Sequence, residues 1–332
     1  MKHRVSFVVP VWNRADLLRN LLETISRQTM APLEVIVVDN GSSDDAVEVA
    51  GEYGARVILM GRNAGFAAAV NRGIRESHGE WIAIVNSDVE LMRDWLARLL
   101  AKMDESSAFA GAGKTLRASD PSRIDGTWDL LACSGCPIRA GHGRPDSAFF
   151  NESRCIDFVP ATASLYRRDL FDRVGLFGEL YESYLEDVDL SMRSCAAGLK
   201  AVYEPAAVCL HHGSASSGVW SSRVVRLTAR NQLILVKRLF SVPIRLRWCW
   251  KIVVGQMFWG IVAARHGKII PWVCGKLEAI WLWRRIPSLR LESDLVRRTV
   301  SQSESQIAEL ICSGRPGPYW RLYFLLTGRA SK

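Results

Sequence analysis

Short runs of aliphatic and β-branched residues alternate with stretches of helical periodicity through the first hundred residues. This alternation limits the possible folds more than any other feature of the chain. Four runs predict buried strands, over 5–9, 34–38, 56–60 and 81–85. Between the first two runs, apolar residues recur at helical spacing from 17 to 25. Strands separated by helices favour an α/β fold with a mostly parallel central sheet and flanking helices.

Charge divides the chain into two parts. Residues 1–222 contain 23 Lys and Arg against 29 Asp and Glu, whereas residues 223–332 contain 20 against 5. The basic part also holds six of the twelve tryptophans within 36 residues, at 248, 250, 259, 272, 281 and 283. We therefore expect a first domain over 1–222 and a basic, Trp-rich helical region over 223–332.

The sequence has few features that indicate where in the cell the protein is located. No run of apolar residues reaches the length of a membrane-spanning helix, and the N-terminus leads directly into a strand without a cleavable signal. Eight cysteines at irregular spacing do not resemble a secreted disulfide framework. These features predict a cytoplasmic protein.

Polar residues follow three of the predicted strands: Trp12-Asn13, Asp39 and Asp88. In open α/β sheets ligands bind beyond the carboxyl ends of the strands, although each such residue is also typical of a cap or turn. No Gly-x-Gly-x-x-Gly follows the first strand and no P-loop pattern occurs. A bound diphosphate would then need a divalent cation, Mg²⁺ or Mn²⁺, and Asp88 is a candidate ligand for it.

Five segments in this order resemble the inverting family 2 glycosyltransferases with the GT-A fold, most closely their bacterial rhamnosyltransferase-like branch. The segments are 8–13, 37–42, 62–66, 86–90 and 185–190, and the resemblance covers about residues 4 to 240. It implies a nucleotide-binding half over 1–115 and an acceptor and catalytic half over 116–222.

The resemblance also implies which residues bind the nucleotide, with Asp39 on the base. These residues are Pro10, Trp12, Asn13, Asp39, Asn63, Gly65, Asn71 and Asp88. Asp88 is similar to the last residue of the family's Asp-x-Asp metal motif. In this sequence Asn86 stands at the position of the first Asp.

The catalytic base implied by the resemblance lies in the 185–190 segment, where we assign it to Asp187, with Glu186 as the second candidate. A carboxylate there can take the proton of a sugar hydroxyl as the hydroxyl attacks. Acids are also favoured at a helix start by the helix dipole, which gives the same residues a purely structural explanation.

A histidine pair, His211-His212, follows a predicted strand. The family carries a histidine facing the metal and diphosphate at this point, and its spacing favours His211 as a metal ligand, with His212 left open. Cys133 and Cys136, with His142 and Cys155, would be an alternative zinc site. We expect residues 119–152 to form a flexible insertion that closes over the substrate.

The basic region mixes Arg and Lys with Trp and aliphatic residues, and its longest uncharged run, 252–264, has 13 residues. This pattern predicts a helical segment that lies on an anionic membrane surface, peripheral to the inner face of the cell membrane. A helical pair that binds a protein partner is the alternative. No nucleic-acid motif accompanies the basic residues, so we expect no nucleic-acid partner.

Taken together, these features predict a metal-dependent, inverting glycosyltransferase. It would move a sugar from a nucleotide-diphosphate donor to a hydroxyl of a lipid-linked or cell-surface glycan acceptor. L-rhamnose from dTDP-rhamnose is the donor that the resemblance suggests. A sugar nucleotidyltransferase, or a noncatalytic membrane-associated scaffold with the same fold, would be the alternatives.

Overall fold

The computed structural model describes residues 3–213, 220–312 and 318–328. The chain forms two compact units. The first, which we call the sheet unit, comprises residues 1–128 and 141–216; the second, the helical unit, comprises 129–140 and 217–332. The segment 129–140 therefore leaves the sheet unit and returns to it within a dozen residues.

The first part of the chain alternates strands and helices in the following order: β1 (Val5–Val11), α1 (Ala15–Ser26), β2 (Glu34–Asp39), α2 (Ala46–Glu52), β3 (Arg56–Leu59), α3 (Phe66–Glu76), β4 (Trp81–Val85), β5 (Val89–Leu91), α4 (Trp95–Ser106), β6 (Ala110–Arg117) and β7 (Asp120–Gly126). The β-branched runs become strands, and the amphipathic segments between them become helices that bury their apolar faces against the sheet.

The rest of the chain continues as follows: β8 (Asp129–Leu131), β9 (Pro137–Arg139), β10 (Arg154–Ile156), β11 (Ala163–Arg167), α5 (Arg168–Val174), α6 (Glu186–Ala196), β12 (Ala201–His211), α7 (Ser222–Leu239), α8 (Val242–Arg247), α9 (Cys249–Arg265), α10 (Ile269–Leu282), α11 (Ser293–Cys312) and α12 (Pro318–Thr327).

The main sheet has the order β10-β12-β6-β11-β4-β1-β2-β3. Strands β3, β2, β1 and β4 are parallel, so their carboxyl ends lie at the same edge. Strand β11 is antiparallel to both β4 and β6, and β12 is parallel to β6. The α/β fold with a parallel half sheet and flanking helices is thus confirmed.

The first predicted strand, over 5–9, ends too early. Strand β1 continues through Pro10 to Val11, with Pro10 opposite Val38 of β2. Proline is tolerated because β1 pairs with β4 only from Val5 to Val8, so its missing N–H lies beyond that neighbour.

The insertion expected over 119–152 is not one continuous loop. It contains β7, β8 and β9, and its glycines occupy turns: Gly135, Gly141 and Gly143 have φ of 77°, 79° and 75°. Glycine adopts these left-handed conformations without strain. The composition that predicted a flexible loop therefore reflects the turns between short strands.

The helical unit is built around α7 and α10. At Gly275 of α10, a Cβ would lie 2.2 Å from the carbonyl oxygen of Arg226, so only glycine allows this approach. The β8–β9 hairpin packs on α11, where the backbone N–H of Leu131 donates to Ser303 Oγ at 2.7 Å. Among the described residues, none of the helices is both long and apolar enough to cross a bilayer.

Candidate active site

The turn after β1 is tied to the turn after β2. The backbone N–H of Asn13 donates to Ser42 Oγ at 2.8 Å, and the Asn13 side-chain oxygen accepts from the Ser43 backbone N–H at 2.9 Å. Asn13 and Arg14 have φ of 59° and 62°, which is uncommon for residues other than glycine. Strain of this kind often marks functional sites.

Asp39, which ends β2, is almost fully buried. Its carboxylate accepts from the backbone N–H groups of Gly41 and Ser42, at 3.2 and 3.0 Å. These bonds are those of an Asx-type turn and fix the loop that follows the strand. Contact between Asp39 and a nucleotide base stays a prediction.

The loop before α3 is held by Asn40. Its side-chain oxygen accepts from the Ala64 N–H at 2.8 Å, and its amide donates to the Gly65 carbonyl at 3.1 Å, while Asn63 contacts the same amide. Gly65 has φ 91°, and a Cβ there would lie 2.7 Å from the Glu182 carbonyl oxygen. Gly65 thus lets this loop approach the segment that precedes α6.

Asn71, on the second turn of α3, is buried. Its amide donates to the Phe177 carbonyl and to Glu179 Oε1, both at 2.9 Å, and its oxygen accepts from the Phe177 N–H at 3.0 Å. In this arrangement Asn71 positions residues 177–179. Its contact with a nucleotide stays a prediction.

Helix α6 begins with the acids of the 185–190 segment. Asp187 is half-buried, and its two carboxylate oxygens accept from the N–H groups of Ala161 (3.2 Å) and Val188 (2.9 Å). Glu186 is buried. Asp189 is completely buried and binds Tyr181 and Arg193, at 3.0 and 2.9 Å. The three acids therefore have different surroundings, and Asp187 is the most accessible of them.

The backbone leading into α6 is unusual. Glu182, Tyr184 and Leu185 have φ of 59°, 73° and 73°. Two hydrogen bonds connect this segment to the start of α3: the Phe66 N–H donates to Ser183 Oγ at 3.1 Å, and the Ala67 N–H donates to the Glu182 carbonyl at 3.0 Å. The strained turn that presents Asp187 is thus fixed against the loop that follows β3.

Asp187 is also linked to the end of β4. The Ala161 N–H binds the Asp187 carboxylate, and the carbonyl of the next residue, Thr162, accepts from the Asn86 N–H at 2.9 Å. Asn86 and Asp88 follow β4 directly. A continuous series of hydrogen bonds therefore joins the ends of β2 and β4 to the start of α6, at one edge of the sheet.

His211, the last residue of β12, lies between two carboxylates. Its Nδ1 donates to Asp125 Oδ2 at 2.8 Å, and its Nε2 lies 3.3 Å from Asp88 Oδ1. Burial lowers the pKa of His211, but the hydrogen bonds to Asp125 and Asp88 outweigh it and raise the pKa to about 9. His212 instead contacts Glu90, with Nε2 2.8 Å from Oε1. The geometry thus places His211, of the two histidines, against Asp88.

The model of the family described as glycosyl transferase family 2 matches residues 6–175, which is half of the chain. The chain belongs to glycosyl transferase family 2. The matched segment contains β1 to β4 and β11. It therefore includes the ends of β1, β2 and β4, whose loops the hydrogen bonds described above connect.

Among its relatives, the chain is 31% identical to an uncharacterized protein of Sinorhizobium fredii, over 70% of this chain but only 27% of that protein. It is 28% identical to the N-acetylglucosaminyl-diphospho-decaprenol L-rhamnosyltransferase of Mycobacterium tuberculosis, over 60% of this chain and 73% of that enzyme.

Two solved structures resemble the chain in fold. A mannosyltransferase of Pyrobaculum calidifontis, in complex with GDP-Man and Mn²⁺, has a TM-score of 0.54 at 16% identity, covering 98% of this chain and 84% of its own. GalNAc-T7 with UDP, GalNAc and Mn²⁺ has a TM-score of 0.62 at 14% identity, covering 95% and 58%. The predicted GT-A-like fold is confirmed.

The donor atoms near Asp88 fit a divalent cation. The side-chain oxygen of Asn86 is buried and has no hydrogen-bond partner, so it is an acceptor available to a cation. Asp88 and His211 Nε2 lie beside each other. Mg²⁺ and Mn²⁺ need only a few protein ligands when phosphates and water complete the shell. The described residues contain no cluster of three or more His, Cys, Asp or Glu arranged to hold a metal, so a cation at Asp88 would also need oxygens from phosphate or water.

The alternative zinc site is not supported, because Cys133, Cys136 and Cys155 belong to the part of the chain that the structure describes and join no group of three or more His, Cys, Asp or Glu that could hold a metal. Cys133 and Cys136 are buried, and Cys136 Sγ accepts from Gln256 Nε2 at 3.4 Å. His142 instead donates from Nδ1 to the Asp125 carbonyl at 2.8 Å.

Sequence reasoning missed two residues of the candidate site. Asp125, on β7, binds His211, but it lies inside the segment that we read as a flexible insertion and is 86 positions from its partner. Arg14 follows Asn13; hydrogen bonds to Asp16 raise its pKa, and the negative charge of Asp88 adds to the effect. The sequence could have indicated Arg14, because it directly follows Asn13 at the end of the first strand.

Proposed function

We propose that the transferase moves a sugar from a nucleotide-diphosphate donor to an acceptor hydroxyl with inversion at the anomeric carbon. The observation that carries this proposal is the hydrogen-bonded connection from the ends of β2 and β4 to Asp187. It supports one cleft in which a donor and a base can meet. L-rhamnose from dTDP-rhamnose is the donor we favour, because a rhamnosyltransferase is among the relatives.

Asp187 is the proposed base. The two N–H groups that its oxygens accept hold the carboxylate in place, and its partial exposure leaves room for a substrate hydroxyl. The hydroxyl oxygen would form a bond to the anomeric carbon as the bond to the diphosphate breaks, and the proton would pass to Asp187. A single displacement of this kind inverts the configuration. Glu186, which is buried, remains the second candidate.

The turns at the ends of the strands would bind the nucleotide. Pro10, Trp12, Asn13 and Asp39 lie at the ends of β1 and β2, and Asn63 and Gly65 lie in the loop that Asn40 holds. Asn71 would contribute indirectly, by holding residues 177–179 in place. Asp88 would lie under the diphosphate.

Asp88 and His211 are the proposed metal ligands, and Asn86 can add its unpartnered oxygen. A bound Mg²⁺ or Mn²⁺ would neutralise the charge of the departing diphosphate. Two neighbours in fold, the mannosyltransferase and GalNAc-T7, were solved with Mn²⁺, which is consistent with this choice. His211 binds a metal only when Nε2 is unprotonated, and Asp125 would then hold the proton on Nδ1 toward itself.

The acceptor we propose is a lipid-linked or cell-surface glycan. The name of the mycobacterial relative includes a diphospho-decaprenol acceptor, and the basic residues of 223–332 favour an anionic membrane as partner. Residues 1–222 would then carry out transfer, with donor binding in 1–115 and acceptor binding in 116–222. Residues 223–332 would keep the transferase at the inner face of the cell membrane.

The proposal is tested by incubating the purified chain with a panel of nucleotide sugars, with and without Mn²⁺. We expect one donor to raise the melting temperature, more so with Mn²⁺, and to give a product of inverted anomeric configuration by NMR. Pyrophosphate release from a nucleoside triphosphate and a sugar phosphate would instead indicate a nucleotidyltransferase. Donor binding with neither hydrolysis nor transfer would indicate a noncatalytic scaffold.

A further inference from the structure

Helix α9 carries apolar residues on the face it turns to solvent as well as on the face it packs. Trp250, Val253, Met257 and Ile261 are exposed, with Trp250 at 57% and Met257 at 59%. Their spacing of three and four residues puts them along one side. Gly255, Gln256 and Ala263, on the other side, are buried. Helices that are apolar all round normally lie in a protein core or in contact with lipid.

Helix α10 repeats this arrangement. Gly275 and Ala279 are buried against the rest of the helical unit. The opposite side exposes Ile270 at 73% and Trp281 at 67% of their surface, together with Val273, Leu277 and Ile280. Two neighbouring helices therefore both present large aliphatic and aromatic side chains outward.

The exposed faces belong to helices that contact one another. At Gly260 of α9, a Cβ would lie 2.9 Å from the Trp272 ring of α10, which fixes a close crossing. Trp250 Nε1 donates to the Leu326 carbonyl of α12 at 3.1 Å, and α12 also exposes Leu325. We call the exposed side chains of α9 and α10 the apolar face. Apolar surface on this scale is typical of an interaction site.

The exposed charges in the segment that forms α9 and α10 have one sign. Between residues 242 and 290, all of which the structure describes, Glu278 is the single acid. It binds Arg226 and Arg230 of α7, at 2.7 and 2.8 Å, so its charge is compensated within the unit. The exposed basic residues of the same stretch are Arg247, Arg265, Arg284, Arg285 and Arg290.

We propose that the apolar face docks on the surface of an anionic phospholipid bilayer. The aliphatic side chains would enter the boundary between headgroups and acyl chains, the Trp rings would lie at headgroup depth, and the arginines would contact lipid phosphates. Vesicle binding can be measured without a sugar donor. Only the use of a lipid-linked acceptor at the membrane rests on the proposed function. A protein partner would have to place carboxylates opposite the arginines or pair with them in a buried interface. An anionic bilayer matches both the apolar area and the positive rim of this surface.

The test is flotation of the full chain with vesicles of phosphatidylcholine, alone or mixed with phosphatidylglycerol. We expect the chain to float with the anionic vesicles and much less with the neutral ones. The double variant Met257→Asp and Leu277→Asp should reduce binding by at least about tenfold, because two charges would enter the apolar layer. Its matched control, Leu33→Asp and Leu59→Asp, changes exposed leucines of the sheet unit and should bind normally.

A second pair of variants tests the charge. Arg284→Gln with Arg285→Gln should reduce the preference for anionic vesicles, whereas Arg27→Gln with Arg93→Gln, on the sheet unit, should not. Circular dichroism and the melting temperature check that each variant is folded. Asp187→Asn should bind vesicles like the original chain, which separates this proposal from the assignment of the base.

Three results would overturn the proposal. The folded chain could fail to float with anionic vesicles. The Met257→Asp and Leu277→Asp variant could float as well as its control. Light scattering could show a dimer that this variant dissociates, in which case the apolar face joins two copies of the chain.

Discussion

The imidazole of His211 is oriented by Asp125. Nδ1 of His211 lies 2.8 Å from Asp125 Oδ2, and Nε2, on the other side of the ring, lies 3.3 Å from Asp88 Oδ1. A carboxylate on Nδ1 fixes both the orientation and the tautomer of a histidine, and it makes Nε2 a better ligand. Asp125 is therefore a positioning residue for His211.

Asp125→Asn should weaken Mn²⁺ binding by about 10- to 100-fold, because the amide holds the ring less firmly and removes a charge. Isothermal titration with Mn²⁺ in the presence of nucleoside diphosphate measures this directly. Asp120→Asn, at the exposed start of the same strand, is the control and should bind Mn²⁺ normally. Unchanged affinity in Asp125→Asn would contradict the positioning role.

Gly65→Ala should destabilise the chain by about 2 kcal/mol or more, since the new methyl would meet the Glu182 backbone and alanine would be strained at φ 91°. Denaturant unfolding measures the change in the free energy of unfolding. We also expect weaker donor binding, because the loops after β3 and before α6 would separate.

Gly51→Ala is the matched control for this substitution. Gly51 lies in α2 with no atom within 4 Å of an added Cβ, so alanine should stabilise the helix by about 0.5–1 kcal/mol. Equal effects of the two substitutions would show that the approach of Gly65 to Glu182 is not required.

Lys276 gives the helical unit a dependence on pH. Its Nζ is buried and donates to the Ala229 carbonyl at 2.7 Å; burial lowers its pKa from 10.5 to about 8. The folded state therefore releases the proton at lower pH than the unfolded state does. Between about pH 8 and 10.5 the unfolded chain binds more protons, so stability rises with pH, and below pH 8 the full cost of charging the amine remains.

Lys276→Met should remove this rise, which we expect to be on the order of 3 kcal/mol. The quantity to compare is the pH dependence of the free energy of unfolding of Lys276→Met against that of the original chain. Urea unfolding followed by tryptophan fluorescence is suited to it, since eight of the twelve tryptophans belong to the helical unit. Parallel pH profiles for the two proteins would contradict this account of Lys276.

The parallel half of the sheet could be predicted because its pattern is local. Runs such as 34–38 and 81–85 are strands, and the residues just after them, Asp39 and Asp88, lie at the edge where parallel strands end together. The insertion of β11 between β4 and β6 could not be predicted, because it pairs residues far apart in the chain. No local pattern specifies such a register.

The same limit explains what was missed at the site. Asp125 faces His211 only because β7 folds back on β6, which itself lies beside β12. Composition assigned this region to a loop, since glycine and aspartate in short-strand turns look like those of an irregular segment. The sequence of α9 is apolar on both sides, and periodicity could not tell which side would be left exposed.

The central claim is that Asp187 takes the proton of the acceptor in a cleft shared with the donor. Single-turnover transfer by Asp187→Asn, measured with the donor affinity of the same variant, tests it most directly, with Glu186→Gln alongside. The account predicts that Asp187→Asn binds donor normally but transfers at least about 10²-fold more slowly. Transfer at an undiminished rate by Asp187→Asn would contradict it.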